Sequence, residues 1–461
     1  MHQLPENPPA SRPSRARSAT AVALSICLLA AAPARAEVRC PDALAADVCA
    51  EADGTCPAFA GATGPADSEW PNFQHDPQHT GMSALRGPTC GRVLWETKVR
   101  GPVLSQPAIG AALPGQTDGV LYVASAKYPV CAFAPRDGSL LWCATDNRGK
   151  LPDRSSPALG NGDSLYQGTR DNDMWAMTLP PTIPGVPPTV MWRQKVCSDG
   201  DISTSAVISP EGLVYMGSDS LSAGTIMAMC PGPERHLKWC HNPVGDGIKN
   251  VSPALDPTGT RLYSSAGGRD LIAYDASTGE EKWRVRLEDR RNGLRGPNYS
   301  PVVNPSTGRI FFGGDTGVFA IDPIVDPVTG AESASVSLFF APKRGETLTS
   351  PPAIDPVHGR LYFGSAKSFN GALYSVDLAT GTQVWRRAVD KSQMRNRPPV
   401  VDGDGNVYYV GSRSIHGLRP DGIEMWSVDT VDDFQSAPVL GRAVLYAATR
   451  QGRIFAIGGC P

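Results

Sequence analysis

Residues 251–283 read VSPALDPTGTRLYSSAGGRDLIAYDASTGEEKW. Three marks stand out. The first is the step Ser252-Pro253-Ala254-Leu255. The second is the aliphatic–aromatic pair Leu262-Tyr263. The third is the run from Ala273 through Asp275 and Gly279 to Trp283. Turn residues separate short apolar runs, as at Asp256-Pro257-Thr258-Gly259, and this pattern predicts antiparallel strands joined by tight turns.

Each mark recurs along the chain. The residue after the Pro of the first mark is Ala108, Ala158, Ala254, Val302, Ala353, Val400 and Val439, and Ala206 stands in a copy without the Pro. These positions lie 39 to 51 residues apart, mostly close to 48. The second mark recurs at Tyr122, Tyr166, Tyr215, Phe311, Tyr362, Tyr409 and Tyr446. The third supplies Trp142, Trp192, Trp239, Trp283, Trp385 and Trp426, whereas the fifth copy has Ala334 where the Trp is expected. A repeat of this length is one supersecondary unit. Each unit reads as four strands, a to d, forming a sheet that cannot bury both faces alone. Sheets stacked around an axis can, and the Trp on strand d then packs between neighbouring blades. The expected fold is all-β, an eight-bladed β-propeller of four-stranded antiparallel blades.

The eighth unit has no strand d before the chain ends. Gly91-Arg-Val-Leu-Trp95 has the missing Gly-x-x-x-Trp pattern, so an N-terminal strand carrying Trp95 is expected to close the ring. Superposing this unit on residues 272–283 puts Cys90 and Cys460 at adjacent turn positions, close enough for a disulfide. Cys131 and Cys143 fall opposite one another on strands c and d of blade one. Cys230 and Cys240 bracket a similar hairpin in blade three, in poorer register. Cys40, Cys49 and Cys56 then remain in the N-terminal segment, with Cys197 as a partner for one of them.

Residues 1–36 read as a signal peptide: Arg12, Arg15 and Arg17, then the apolar run 21–32, then Ala34-Arg35-Ala36. Residues 37–90 form a Cys-containing segment and residues 91–461 the propeller. Removing the signal shifts the formal charge from −2 to −5, which argues against a nucleic-acid partner. No mature stretch is apolar enough for a transmembrane span. Ten cysteines then remain, without a C-x-x-C motif, in a chain sent to the periplasm or outside the cell, and disulfides are the expected use.

Together the S-P-A, L-Y-x-G-S and A-x-D-x-x-T-G-x-x-x-W elements resemble the repeats of the pyrroloquinoline quinone (PQQ) propeller family, over residues 91–461. Residues 70–81 (WPNFQHDPQHTG) are similar to the lead-in of such propellers. The resemblance implies one of two activities. Quinoprotein dehydrogenases hold PQQ and Ca²⁺ on the propeller axis, and their alcohol-oxidising members carry adjacent cysteines that this sequence lacks. Scaffolds similar to the outer-membrane assembly lipoprotein BamB bind protein partners, although no lipidation site is found here.

Other chemistry has weak support. His75 and His79 have i, i+4 spacing, but Pro77 between them opposes a metal-binding helix. The turn Asp402-Gly-Asp404-Gly lacks the ligand count that Ca²⁺ takes. The loops from strand d to the next strand a carry Arg148 and Arg154, Arg291 and Arg295, and Arg395 and Arg397, with acids at Asp199, Asp201, Asp432 and Asp433. They suggest a mouth with basic and acidic sectors. The leading expectation is an exported, non-catalytic scaffold for another envelope or extracellular protein, with no cofactor. The alternatives are a PQQ/Ca²⁺-dependent oxidoreductase and a carbohydrate or small-ligand binder. Intact-mass measurement of the exported chain is expected to place its N-terminus at Glu37; a mass retaining residues 1–36 contradicts the signal reading.

Overall fold

The computed structural model describes residues 52–59, 61, 63–111, 119–145, 154–169, 173–179, 185–195, 202–218, 224–241, 251–266, 270–287, 299–314, 316–367, 370–389 and 396–459. Among them are eight antiparallel sheets and no helix. The sheets form an eight-bladed β-propeller. Blade one consists of Ala108–Gly110, Val120–Ser125, Tyr128–Phe133 and Leu140–Cys143, as strands a to d. Blades two to seven follow in sequence. In blade six strand a comes in two pieces, Thr347–Leu348 and Ala353–Asp355, both paired with strand b. Blade eight takes its strand d from the N-terminal side: Val93–Lys98 pairs with Arg453–Gly458, with Trp95 opposite Ala456.

The sequence marks line up as one rung across each blade. In blade four the rung is Ala254, Tyr263, Ala273 and Trp283. The small residue on strand c leaves room for the ring on d to meet the ring on b. Seven Tyr–Trp pairs result, with centroids 5.7 to 6.0 Å apart. In each of these blades strand d has a bulge at the residue just before the Trp. A bulge twists the strand and re-aims the following side chain. The rung of blade three uses Val207, opposite Tyr215, rather than Ala206. Ala206 takes the place that Pro holds elsewhere. In blade seven the rung aromatic is Tyr408, opposite Val400, and not Tyr409.

The Trp then reaches the next blade. Its indole N–H donates to a carbonyl in that blade's c–d turn: Trp95 to Pro135 at 2.8 Å, Trp192 to Gly232 at 3.3 Å, Trp239 to Ala276 at 3.0 Å and Trp385 to Pro420 at 2.9 Å. Trp426 does the same to Pro88, at 2.9 Å, just ahead of the closing strand. The turn glycine lies under the ring. At Gly279 φ is +77°, and an added Cβ would fall 2.6 Å from Trp239. Gly is therefore required twice over there, for its left-handed backbone and for the close approach.

Blade five breaks the pattern. Its strands c (Gly317–Val325) and d (Glu332–Phe340) have nine residues each, and the hairpin overhangs its neighbours. The turn is displaced outward, so counting four residues on from Gly330 reaches Ala334 too early. The residue abreast of Ala320, at the Trp position, is Ser337. The bulge falls on Phe339 instead. Phe339 meets Phe311 edge-on at 5.1 Å and packs beneath Gly381 of blade six. Arg261 of blade four grips Glu332 with two hydrogen bonds, of 2.8 and 2.5 Å, across the adjacent interface.

Two disulfides are described in full. Cys131 and Cys143 are directly opposite on strands c and d, with Cα atoms 4.0 Å apart. Cys230 is bonded to Cys56, which corrects the expected Cys230–Cys240 staple. The register explains the difference. Cys240 stands opposite Met227, whereas Cys230 lies beyond Met229 near the turn, several rungs away and out of disulfide reach. Cys240 is disulfide-bonded as well. Cys90 is disulfide-bonded, its Sγ 3.8 Å from the carbonyl of Gly458, and Cys460 lies outside the described residues. So do Cys40, Cys49 and Cys197.

Trp239→Ala removes a 4%-exposed ring together with its turn contact, and is expected to lower stability by about 3–5 kcal/mol. Urea unfolding of the full chain measures this; a loss below about 1 kcal/mol would place the blade contact elsewhere.

Candidate functional site at the propeller axis

Strand a is the innermost strand of every blade, so its inner edge leaves backbone groups facing the axis. Buried groups of that kind need partners. The chain supplies them from its own N-terminal side. Residues 52–59 lie at the rim of blade three, where Gly54 N–H donates to Lys238 O, Asp53 pairs with His236 at 3.0 Å, and Cys56 is bonded to Cys230. Further on, Ala66 and Pro71 bond Leu159, and Trp70 bonds Ile109. The carbonyls of Pro77, Gln78, Thr80 and Gly81 then accept from the N–H groups of Leu255, Val303, Ile354 and Val401. These are strand-a residues of blades four, five, six and seven. The lead-in thus runs around the inner edge of the ring, one blade after another.

The curvature comes from left-handed residues, not from a helix. Gln74, His75 and His79 have φ of 52°, 79° and 60°. Asp76 organises the turn, accepting from the N–H groups of Gln78 and Thr80 and from the Thr80 hydroxyl. His79 is 1% exposed, and its Nδ1 lies 3.2 Å from Pro301 O. His75 instead lies beside Asp76. The two histidines do not converge, and no cluster of three metal-ligating side chains occurs among the described residues. Gln74 spans the axis: its N–H donates to Gln106 Oε1 of blade one and its Nε2 to Pro352 O of blade six.

Around this plug runs a belt of hydroxyls. Gln106 N–H donates to Ser156 Oγ, Ser156 to Ser205, Ser205 to Ser252 and Ser252 to Ser300, at 2.8 to 3.1 Å. Each step crosses from one blade to the next, and Gln106 Nε2 closes back to Pro438 O of blade eight. All five of these residues sit at the step that marks each repeat, just before the Pro or, in Ser205, before Ala206. In the S-P-A copies the Pro starts strand a and has no N–H of its own. The Ser ahead of it is the last donor available to a neighbour. The belt, Phe73 and Arg154 line a partly open cavity of about 40 Å³. That is room for a few water molecules.

The predicted basic mouth is placed only in part. Arg148, Arg291, Arg295 and Arg395 lie outside the described residues, as do Asp199 and Asp201. Arg397 is 6% exposed and is not a surface cation. It sits where blades seven and eight meet, and its Nη1 donates to Gly411 O at 2.6 Å and Phe434 O at 2.8 Å. Burial pulls its pKa down to about 10, which leaves it charged at neutral pH. Asp432 and Asp433 are held locally by Arg453 and Arg413, at 2.8 and 2.9 Å. Asp402 is a fully buried turn hub, bonded by Asp404, Asn406, Gly87 and Tyr408.

A family model described as outer membrane protein assembly factor BamB matches residues 84–179, 189–368 and 369–458. The chain belongs to this family. A relative of that name from Burkholderia pseudomallei is 29% identical over 116 residues, 25% of this chain and 28% of its own length. The match therefore spans under a third of that relative. BamB from Moraxella catarrhalis superposes with a TM-score of 0.53 at 17% identity, covering 79% of this chain and 98% of that one. A quinohemoprotein alcohol dehydrogenase from Comamonas testosteroni gives 0.67 at 14% identity, covering 90% and 85%. At such identities the superpositions speak for the fold alone.

The quinoprotein resemblance implies Ca²⁺ and PQQ on the axis. Ca²⁺ takes six to eight oxygens, with carboxylates among them. The described lining offers hydroxyls, the amides of Gln106 and Asn396, one arginine and apolar groups, with no carboxylate. The described residues of this opening do not suit the pair.

His79 gives the plug a measurable pH signature. Burial lowers its pKa from 6.5 to about 4. The unfolded chain takes up that proton from about pH 6.5 downward and the folded chain does not. Stability is therefore lost as pH falls from 6.5 to 4, by about 3 kcal/mol at most. His79→Asn keeps a donor and tolerates the left-handed backbone. The urea midpoint of this variant should lose less than the parent's between pH 7 and 4.5; equal slopes would assign the pH dependence to other groups.

Proposed function

We propose that this chain is an exported, non-catalytic propeller scaffold that binds another protein at the cell envelope. The observation that carries the reading is the self-filled axis. The position where a propeller most readily holds a small ligand is occupied by Phe73, Gln74 and His79 of the same chain, pinned to strand a of successive blades. What remains for recognition is the outer surface: the rims, the turns and the loops around Arg154. Membership of the BamB family supports a protein partner, and the signal-like residues 1–36 support export. No helix among the described residues is long and apolar enough to cross a membrane. In this reading Arg154, together with the cations expected from the sequence at Arg148, Arg291, Arg295 and Arg395, selects a partner of acidic surface.

Purified protein incubated with PQQ and Ca²⁺ is expected to retain no quinone after gel filtration and to reduce no dye with alcohols or sugars. A photo-crosslinker replacing Arg154 is expected to give discrete adducts with an envelope protein, weakened by charge reversal at Arg291 and Arg395. Quinone retention with dye reduction would overturn the scaffold reading in favour of the oxidoreductase.

A further inference from the structure

Strand d is the outermost strand of each blade and exposes an unpaired edge. Such edges template pairing with other chains, and charged side chains are the common protection. Most of these strands carry that protection: Glu96 and Lys98 in blade eight, Arg193 and Lys195 in blade two, three cations in Glu281–Arg286, Arg386 and Arg387 in blade six, Glu424 and Asp429 in blade seven. Blade three has Lys238, and blade one's strand has only four residues, one of them in a disulfide.

Blade five is the exception. Its strand d is nine residues long, against four to seven in the other blades. From Ser333 to Phe340 it reads SASVSLFF, with no charge. Glu332, at its start, is already held by Arg261. Val336 is 38% exposed and Leu338 52%, on the face opposite that of Ser337, the residue at the Trp position. The overhanging ribbon adds Ile324, Val325 and Val328, at 47%, 62% and 91%. No strand pairs with this edge among the described residues. Residues 333–340 are thus a long, uncharged, largely apolar edge in a chain that shields the others.

We propose that this edge pairs with the same edge of a second copy, joining two propellers into a two-fold dimer through one continuous sheet. The sequence is self-complementary in the antiparallel sense. A two-fold axis at Val336 sets Val336 against itself, Ala334 against Leu338, and Ser335 against Ser337. Over residues 334–338 apolar groups then meet apolar groups on one face and hydroxyls meet hydroxyls on the other, with no like charges opposed. The modest net charge of the chain, −2, adds little long-range repulsion between copies. The inference stands on the edge alone and is independent of the scaffold reading.

Light scattering and sedimentation of the full chain across a concentration series, with amide hydrogen exchange at each concentration, provide the test. A concentration-dependent dimer is expected, with amides of residues 333–340 gaining protection as it forms. Val336→Lys should abolish the dimer and leave the melting temperature unchanged. Val431→Lys, which charges an exposed apolar residue elsewhere (71% exposed), should leave the dimer intact. A monomer at every concentration overturns the proposal, as does a dimer indifferent to Val336→Lys. A monomer whose residues 333–340 are protected only by an added extended peptide would assign the edge to a foreign strand and also overturn it.

Discussion

The ring depends on the contact between a tryptophan of one blade and the c–d turn of the next. A four-stranded sheet is amphipathic on both faces and has no stability by itself. Stacking needs something that fixes the distance and angle between sheets, and hydrophobic burial alone is indifferent to angle. The indole supplies both terms: its faces bury apolar area, and its single N–H finds a partner only when the neighbouring turn carbonyl is in place. The glycine under the ring sets how closely the two sheets approach. Where the contact is lost, at blade five, the interface is rebuilt from other parts: a displaced phenylalanine on one side and an Arg261–Glu332 pair on the other.

Closing a ring of eight leaves an axial opening with unpaired backbone edges, and the way these are satisfied decides what the protein can do there. Here the solution is internal. The lead-in segment contributes carbonyls to strand a of one blade after another, and the serine belt links the blades beneath it. Groups that in a ligand-binding propeller would face a guest are turned to cohesion. The fold is shared with a quinohemoprotein alcohol dehydrogenase, and the described residues at the axis here are mostly hydroxyls and amides.

The ring was legible in the sequence because each rung places distinctive side chains at fixed spacing: a small residue after Pro, Tyr on b, Trp after a Gly turn. Blade count, closure by Gly91–Trp95 and the Cys131–Cys143 geometry all follow from that spacing. Spacing misleads where the landmark itself has moved. Ser337, not Ala334, stands at the Trp position, because the hairpin grew on both sides of its turn and counting from the turn cannot see this. Cys230 was assigned within its own hairpin because its partner, Cys56, belongs to no repeat. The axial site was hardly legible. Gln74, Gln106 and His79 are brought together by left-handed backbone in a single-copy segment, and the serine belt was hidden inside a motif read only as a strand start. Arg397 read as a rim cation, because sequence position near a loop does not tell which way a side chain turns.

The N-terminal segment also sets a timetable. Residues 64–98 touch nearly every blade, and Val93–Lys98 has its strand partner at Arg453–Gly458, at the far end of the chain. Contacts so distant in sequence make folding slow. A chain made or threaded across a membrane from its N-terminus presents these residues first and must hold them unsatisfied until the last blade emerges. Blades one to seven each draw on strands contiguous in sequence, whereas the eighth joins strands from both ends of the chain. The finished ring is therefore a late event, and until then Trp70 and Phe73 of the lead-in have no axis in which to be buried.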